Sequence, residues 1–210
     1  MTTTTTARTP RAPRIAPGGV REIGRLNTLI AGAIGRTMGT IEPPRLFTTL
    51  ARHRRLYWCW LPFAGALMPR GKLLRADSEL VILRVAHNCG SEYEWRHHER
   101  IGLTTGLTEV QVRAIAEEDP RSAGAVGFSE RQLVLLRAAD ELHERRELSD
   151  ELWAELRPLL SDAQLIELCM LVGHYEMLAM TLNSLRVQPD EFSAAGPSRL
   201  AALVSSRRGS

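Results

Sequence analysis

Residues Leu80–Leu107, LVILRVAHNCGSEYEWRHHERIGLTTGL, hold two helices and the break between them. The first part is an apolar run with no period-two alternation, which reads as a buried helix over Glu79–Cys89 with Asp77 or Ser78 as its cap. Gly90 and Ser91 interrupt it. Glu92 to about Thr105 then reads as a second helix, stopped by Gly106, the residue type that most easily turns the chain past a helix end. Working outward, residues 24–36 form a helix, and Pro43-Pro44 start another through LFTTLARHRRLYWCWLPFAGAL, which Pro62 should kink or divide. Downstream, Thr108 with Gln111 makes a capping box. Ser129, Ser149 and Ser161 cap helices over 130–143, 150–158 and 162–185. About eight helices and no strand pattern make the class all-α.

The chain has 210 residues, a net charge of +3 and a pI near 9.0. Such a pI invites a nucleic-acid partner, but four Arg and no acid lie in residues 1–21, and three Arg and no acid in 199–210. The part between is net acidic at −4, so no nucleic-acid partner is expected. Residues 1–20, rich in Thr, Pro and Arg, read as a disordered tail, 21–193 as one domain, and 194–210 as a loose end. Cys59, Cys89 and Cys169 show no Cys-x-x-Cys spacing, which suits a reducing cytoplasm rather than a disulfide framework. No uninterrupted apolar run reaches ~18 residues, so no membrane span is expected.

The chemistry concentrates in Ser91-Glu92-Tyr93-Glu94-Trp95-Arg96-His97-His98-Glu99. Helical spacing puts Ser91, Glu94 and His98 on one stripe, with Tyr93 and His97 on the next. A carboxylate beside an imidazole is either an acid–base pair or an exposed pair on a solvated face. His97 and His98 diverge by ~100° around the helix, and Glu94 with His98 offers only two ligands, so no metal is expected. Cys89 is either a buried structural thiol or one made reactive by a helix start. His143 reads as a helix C-terminal residue facing the dipole. Trp58, Trp60 and Phe63 supply core, interface or pocket surface. His174-Tyr175 interrupts an apolar helix, as a pocket face or as a polar core contact.

The same Leu80–Leu107 stretch resembles the carboxymuconolactone decarboxylase family, within the alkyl hydroperoxidase D-like superfamily. The likeness extends more weakly over roughly residues 40–190. It implies a helical bundle, a small-molecule substrate and a homo-oligomer, with the Trp58–Leu67 segment as a candidate contact. The peroxidase branch has a Glu, then eleven residues, then Cys-x-x-Cys-x-x-x-His. Here Glu79 and His98 match, while Ser91 and Glu94 stand at the two Cys positions. Both thiols that such a peroxidase needs are replaced.

The decarboxylase branch is similar in pairing a Glu with a His four residues later. By that resemblance, cofactor-free proton transfer, decarboxylation or isomerisation of an organic acid or lactone falls to His98, Glu94 and Glu79. Ser91, Tyr93, Trp95, His97 and Cys89 would contact the substrate. A Cys89-dependent peroxidase and a non-catalytic binding module are the competing readings.

Overall fold

In the computed structural model, residues 12–117 and 127–194 are described, and among them the chain forms ten helices and no strand. They are α1 (Val20–Ile23), α2 (Arg25–Met38), α3 (Arg45–Leu50), α4 (Arg54–Leu67), α5 (Arg75–Asn88), α6 (Glu92–Thr105), α7 (Glu109–Ile115), α8 (Glu130–Arg145), α9 (Asp150–Leu156) and α10 (Asp162–Leu185).

The count exceeds eight for two local reasons. The short α1 precedes α2, and the stretch expected to divide at Pro62 divides instead at residues 51–53. There the His53 ring accepts the Leu56 amide and starts a new helix, and Pro62 sits inside α4. Thr108, Ser129, Ser149 and Ser161 cap their helices as their spacing predicts, and Thr108, Ser129 and Ser161 complete capping boxes with Gln111, Gln132 and Gln164.

The start of α5 departs from expectation. The helix begins at Arg75, before Asp77 and Ser78. The chain is delivered to it by Glu167 of α10, whose carboxylate accepts the Lys72 amide and, at 3.0 Å, the Leu73 amide. Asp77 is then free to pair with Arg131 of α8 at 2.6 Å.

Helix α5 is the axis of the molecule, with every residue from Asp77 to Ala86 buried and α6, α7, α8 and α10 packed round it. A helix enclosed on all sides is apolar all round or pairs its charges. Arg84 is such a charge, forked onto Asp140 at 2.5 and 3.1 Å and donating to the Ile115 and Glu117 carbonyls at 2.8 and 2.7 Å.

The core has two parts. The larger joins Leu80, Leu83, Ile115, Leu135, Leu156, Leu168 and their neighbours on α5 and α7–α10. The smaller joins Ile23, Tyr57, Trp60, Tyr93, Leu178 and Leu182. The first turns of α6 lie on the seam between them.

Helix α10 is long and apolar enough to cross a membrane by length and composition, where the run-length reading found no candidate span. Half of it is buried here, packed against α4, α5 and α8 in the manner of a core helix.

Both ends of the domain are tied down. Residues 12–19, expected to belong to the loose tail, are held by Arg14 donating to the Leu185 and Ser184 carbonyls at 2.9 Å, and by the Gly18 amide on Thr48 at 3.0 Å. The segment after α10 pairs with the chain just past α2 through an isolated antiparallel bridge, Thr40 to Phe192. The rest of the expected tails, 1–11 and 195–210, lies outside the described residues.

Candidate functional site

His98 is the centre of the site. Its Nδ1 lies 2.6 Å from Oε2 of Glu79, which reaches across from α5 and is wholly buried. A carboxylate can only accept, so Nδ1 carries the proton and the Nε2 lone pair is left to act as a base. Arg75, one turn before Glu79 on α5, stands 2.9 Å from the other Glu79 oxygen as an ion pair off the hydrogen-bond axis. Tyr175 of α10 meets the His98 ring edge-on at 5.0 Å. The spacing within α6 pointed to Glu94 as the partner of His98. The structure supplies Glu79 in that place, because the face of α6 that carries His98 packs directly on α5.

Glu94 is buried on the same helix, and neither of its carboxyl oxygens has a hydrogen-bond partner among the described residues. Burial pushes its carboxyl up to about 8, with the nearby Ser91 hydroxyl offsetting a little of the shift. At neutral pH Glu94 is therefore largely a neutral acid with a proton to donate. The buried Ser91 Oγ also has no partner in bonding geometry among the described residues. Ser91 precedes α6 as its N-cap residue without spending its hydroxyl on the helix amides.

A second histidine completes the group. His174 of α10 is buried, with Nδ1 unpartnered among the described residues. It stacks on Trp60 at 6.1 Å and meets Phe63 edge-on at 5.3 Å. Burial, with the His98 charge adding to it, pulls its pKa down to about 4, so it stays neutral at pH 7. The Trp60 indole N–H and Tyr57 hydroxyl are likewise buried without partners among the described residues. Buried polar atoms are ordinarily hydrogen-bonded, and a cluster left open on several elements marks a place where a ligand would supply the partners. An open surface basin of about 650 Å³ over Ile15, Leu50, Arg52 and Leu185 lies elsewhere and contains none of these groups.

The remaining residues expected at the site divide. Tyr93 and His97 face a different partner: Tyr93 donates its hydroxyl to Asp190, and His97 Nε2 donates to the same oxygen at 3.0 Å. Asp190 also accepts the Arg45 amide at 3.0 Å. Both rings thus hold the C-terminal segment against α6 and α3. Trp95 turns to the other side, packing on the larger core with its ring against His87 at 6.3 Å.

Cys89, half-buried at the end of α5, lies 3.9 Å from His143 Nδ1. Burial first, then the Glu176 and Glu94 charges, push its thiol up to about 11, so a thiolate is scarce at neutral pH. His143 lies in the last turn of α8, as expected of a residue facing the helix dipole, and is also bound to Glu176 at 2.7 Å.

Of the eight residues singled out from the sequence, Glu79 and His98 come into direct contact, with the orphaned polar atoms of Ser91 and Glu94 on the same helix as His98. His174, Tyr175 and Trp60 were legible as polar or aromatic interruptions but not assignable. Asp190 had no signal of its own.

Residues 54–141 match the model of the carboxymuconolactone decarboxylase family. No curated protein matches the chain by sequence. Among solved structures, an uncharacterised peroxidase-related protein from Silicibacter sp. is similar, with a TM-score of 0.71 and 14% identity over 91% of this chain and 97% of that one. An alkylhydroperoxidase AhpD core protein from Ralstonia eutropha, itself called an uncharacterised peroxidase-related protein, gives 0.68 and 15% over 93% and 97%. A protein of unknown function from Agrobacterium tumefaciens, described as a candidate AhpD antioxidant defence protein, gives 0.57 and 17% over 65% and 91%. At these identities the likeness is one of fold. The family match runs from α4 into α8 and so contains Glu79, Glu94 and His98, while the helical fold that this chain shares with the AhpD-like proteins extends over most of its length.

Proposed function

We propose that this protein is a cofactor-free proton-transfer enzyme, a decarboxylase or isomerase of a small organic acid or lactone. The observation that carries the reading is the 2.6 Å His98–Glu79 contact beside a buried, unpartnered Glu94. Glu79 fixes the tautomer of His98 and stabilises the imidazolium that forms when Nε2 takes a proton. Glu94, protonated at neutral pH, donates to the oxygen of an enolate as charge develops there, and Ser91 can add a second donor.

In the isomerising direction, His98 removes a proton beside a carbonyl and returns it one carbon away. In the decarboxylating direction, the carbon–carboxylate bond breaks, its electron pair enters the enolate, carbon dioxide leaves, and His98, having taken a proton from solvent at Nε2, delivers it to carbon. The thiol-peroxidase reading has less support, since Cys89 is held protonated and has no resolving thiol beside it. The three free cysteines suit a reducing cytoplasm. We place a second copy of the chain over the exposed apolar residues of α10.

The test is turnover of a panel of lactones and β-keto or enol-lactone acids, followed by substrate loss and by solvent deuterium entering the product. His98→Ala should abolish turnover while the helical circular dichroism is unchanged, and Glu79→Gln should lower kcat more than KM. Full activity in a folded His98→Ala variant would overturn the assignment.

A further inference from the structure

A second cluster of ligating side chains lies outside the proton-transfer set. Cys89 at the end of α5, His143 in the last turn of α8 and Glu176 in the middle of α10 bring Sγ, Nδ1 and a carboxylate oxygen within 4.8 Å of one another. The Sγ–Nδ1 separation is 3.9 Å and the Nδ1–Oε1 separation 2.7 Å. All three side chains are partly buried, and they come from three different helices. We propose that Cys89, His143 and Glu176 form a binding site for a thiophilic divalent ion of the zinc class.

The donor set argues for that class. A thiolate and an imidazole favour zinc and its late transition-metal neighbours, while magnesium and calcium take oxygen shells. Tetrahedral zinc with bonds of about 2.3 Å to sulfur and 2.0–2.2 Å to nitrogen and oxygen sets its ligand atoms roughly 3.3–3.7 Å apart. The Cys–His gap is already close to that. The His–Glu pair would open by about half an ångström as the ion enters between them.

The surroundings aim the ligands. Arg146, in the left-handed conformation that ends α8, binds the outer oxygen of Glu176 and leaves Oε1 to face His143. The Asn183 amide holds the Cys89 carbonyl at 3.0 Å, fixing the turn that carries the thiol. Partners that orient metal ligands in this way usually matter for affinity. Binding replaces the thiol proton by the ion, so one proton passes to solvent for each ion bound at Cys89. Three protein ligands leave a fourth position for water. The ion would clamp the ends of α5 and α8 to α10.

The test uses the full chain with the exposed Cys59 and Cys169 replaced by Ser, freed of metal and titrated with Co²⁺ and then Zn²⁺ at micromolar concentrations. One equivalent of Co²⁺ should bring up a sulfur-to-cobalt charge-transfer band, which Zn²⁺ then removes, and Zn²⁺ should raise the thermal midpoint. Cys89→Ser should erase the band, and His143→Ala or Glu176→Gln should weaken binding about ten-fold or more while the circular dichroism is kept. Absence of the band in the folded parent, or its survival in Cys89→Ser, would overturn the proposal. Proton-transfer activity is read separately, so the failure of either assignment leaves the other standing.

Discussion

Glu94 shows what one uncompensated group costs. Its carboxyl ordinarily titrates at 4.5 and does so here at about 8. Below pH 4.5 the folded and unfolded chains both hold the proton. Between about 4.5 and 8 the unfolded chain loses it and the folded chain keeps it, so stability falls as pH rises through that window and levels off above it. The full difference is on the order of 5 kcal/mol. Glu94→Gln removes the titration and keeps an amide donor in its place. Urea unfolding of the two proteins should therefore give similar stabilities near pH 4.5 and a more stable variant at pH 8, with turnover reduced in the variant. Parallel pH profiles of stability would mean that Glu94 is ionised in the fold. A group that lowers stability at working pH, when Gln would fit, is the signature of a residue kept for its proton.

Helix α5 is positioned by a glycine and a carboxylate that the chain supplies from far apart. A Cβ at Gly71 would fall 2.2 Å from Glu167 Oε1 and 2.6 Å from the Leu67 carbonyl. Gly71→Ala should thus push Glu167 off the Lys72 and Leu73 amides and cost about 1–3 kcal/mol, read by chemical denaturation. Local signals explain why so much at this scale was readable in advance: Thr108, Ser129, Ser149 and Ser161 each act within four residues, and such caps need no tertiary partner. The start of α5 was misplaced because the helix has no side-chain cap of its own, and the carboxylate that steers the chain into it, Glu167, lies 94 residues from Leu73. The same reasoning applies to the site. The i,i+4 rule sees only one helix, so it joined His98 to Glu94, whereas the contact with Glu79 depends on how α5 crosses α6. Cys89, His143 and Glu176 have no spacing that a motif could register, and neither has Asp190 relative to the Tyr93–His97 stripe it joins.

On the whole molecule, α10 presents Ile166, Met170, Met177 and Met180 to the outside, 67%, 47%, 44% and 62% exposed. Their spacing runs them down one side of the helix, and an apolar stripe of that length is more than a monomer ordinarily leaves in water. A second copy laid on it would bury the stripe symmetrically. Sedimentation should show an oligomer for the native chain and a monomer for Met177→Glu; a monomeric native protein would dispose of the idea. The seam between the two cores has a further consequence, through Asp190. That one carboxylate joins Tyr93, His97 and the Arg45 amide, and Phe192 beside it lies under the Arg100 guanidinium and against His97. The helix that carries His98 is thereby anchored by residues beyond the family match at 54–141, as its ring is by Tyr175. The proposed chemistry would therefore not be portable: the matched segment grafted elsewhere would bring Glu79, Glu94 and His98 without the contacts from Asp190, Phe192 and Tyr175.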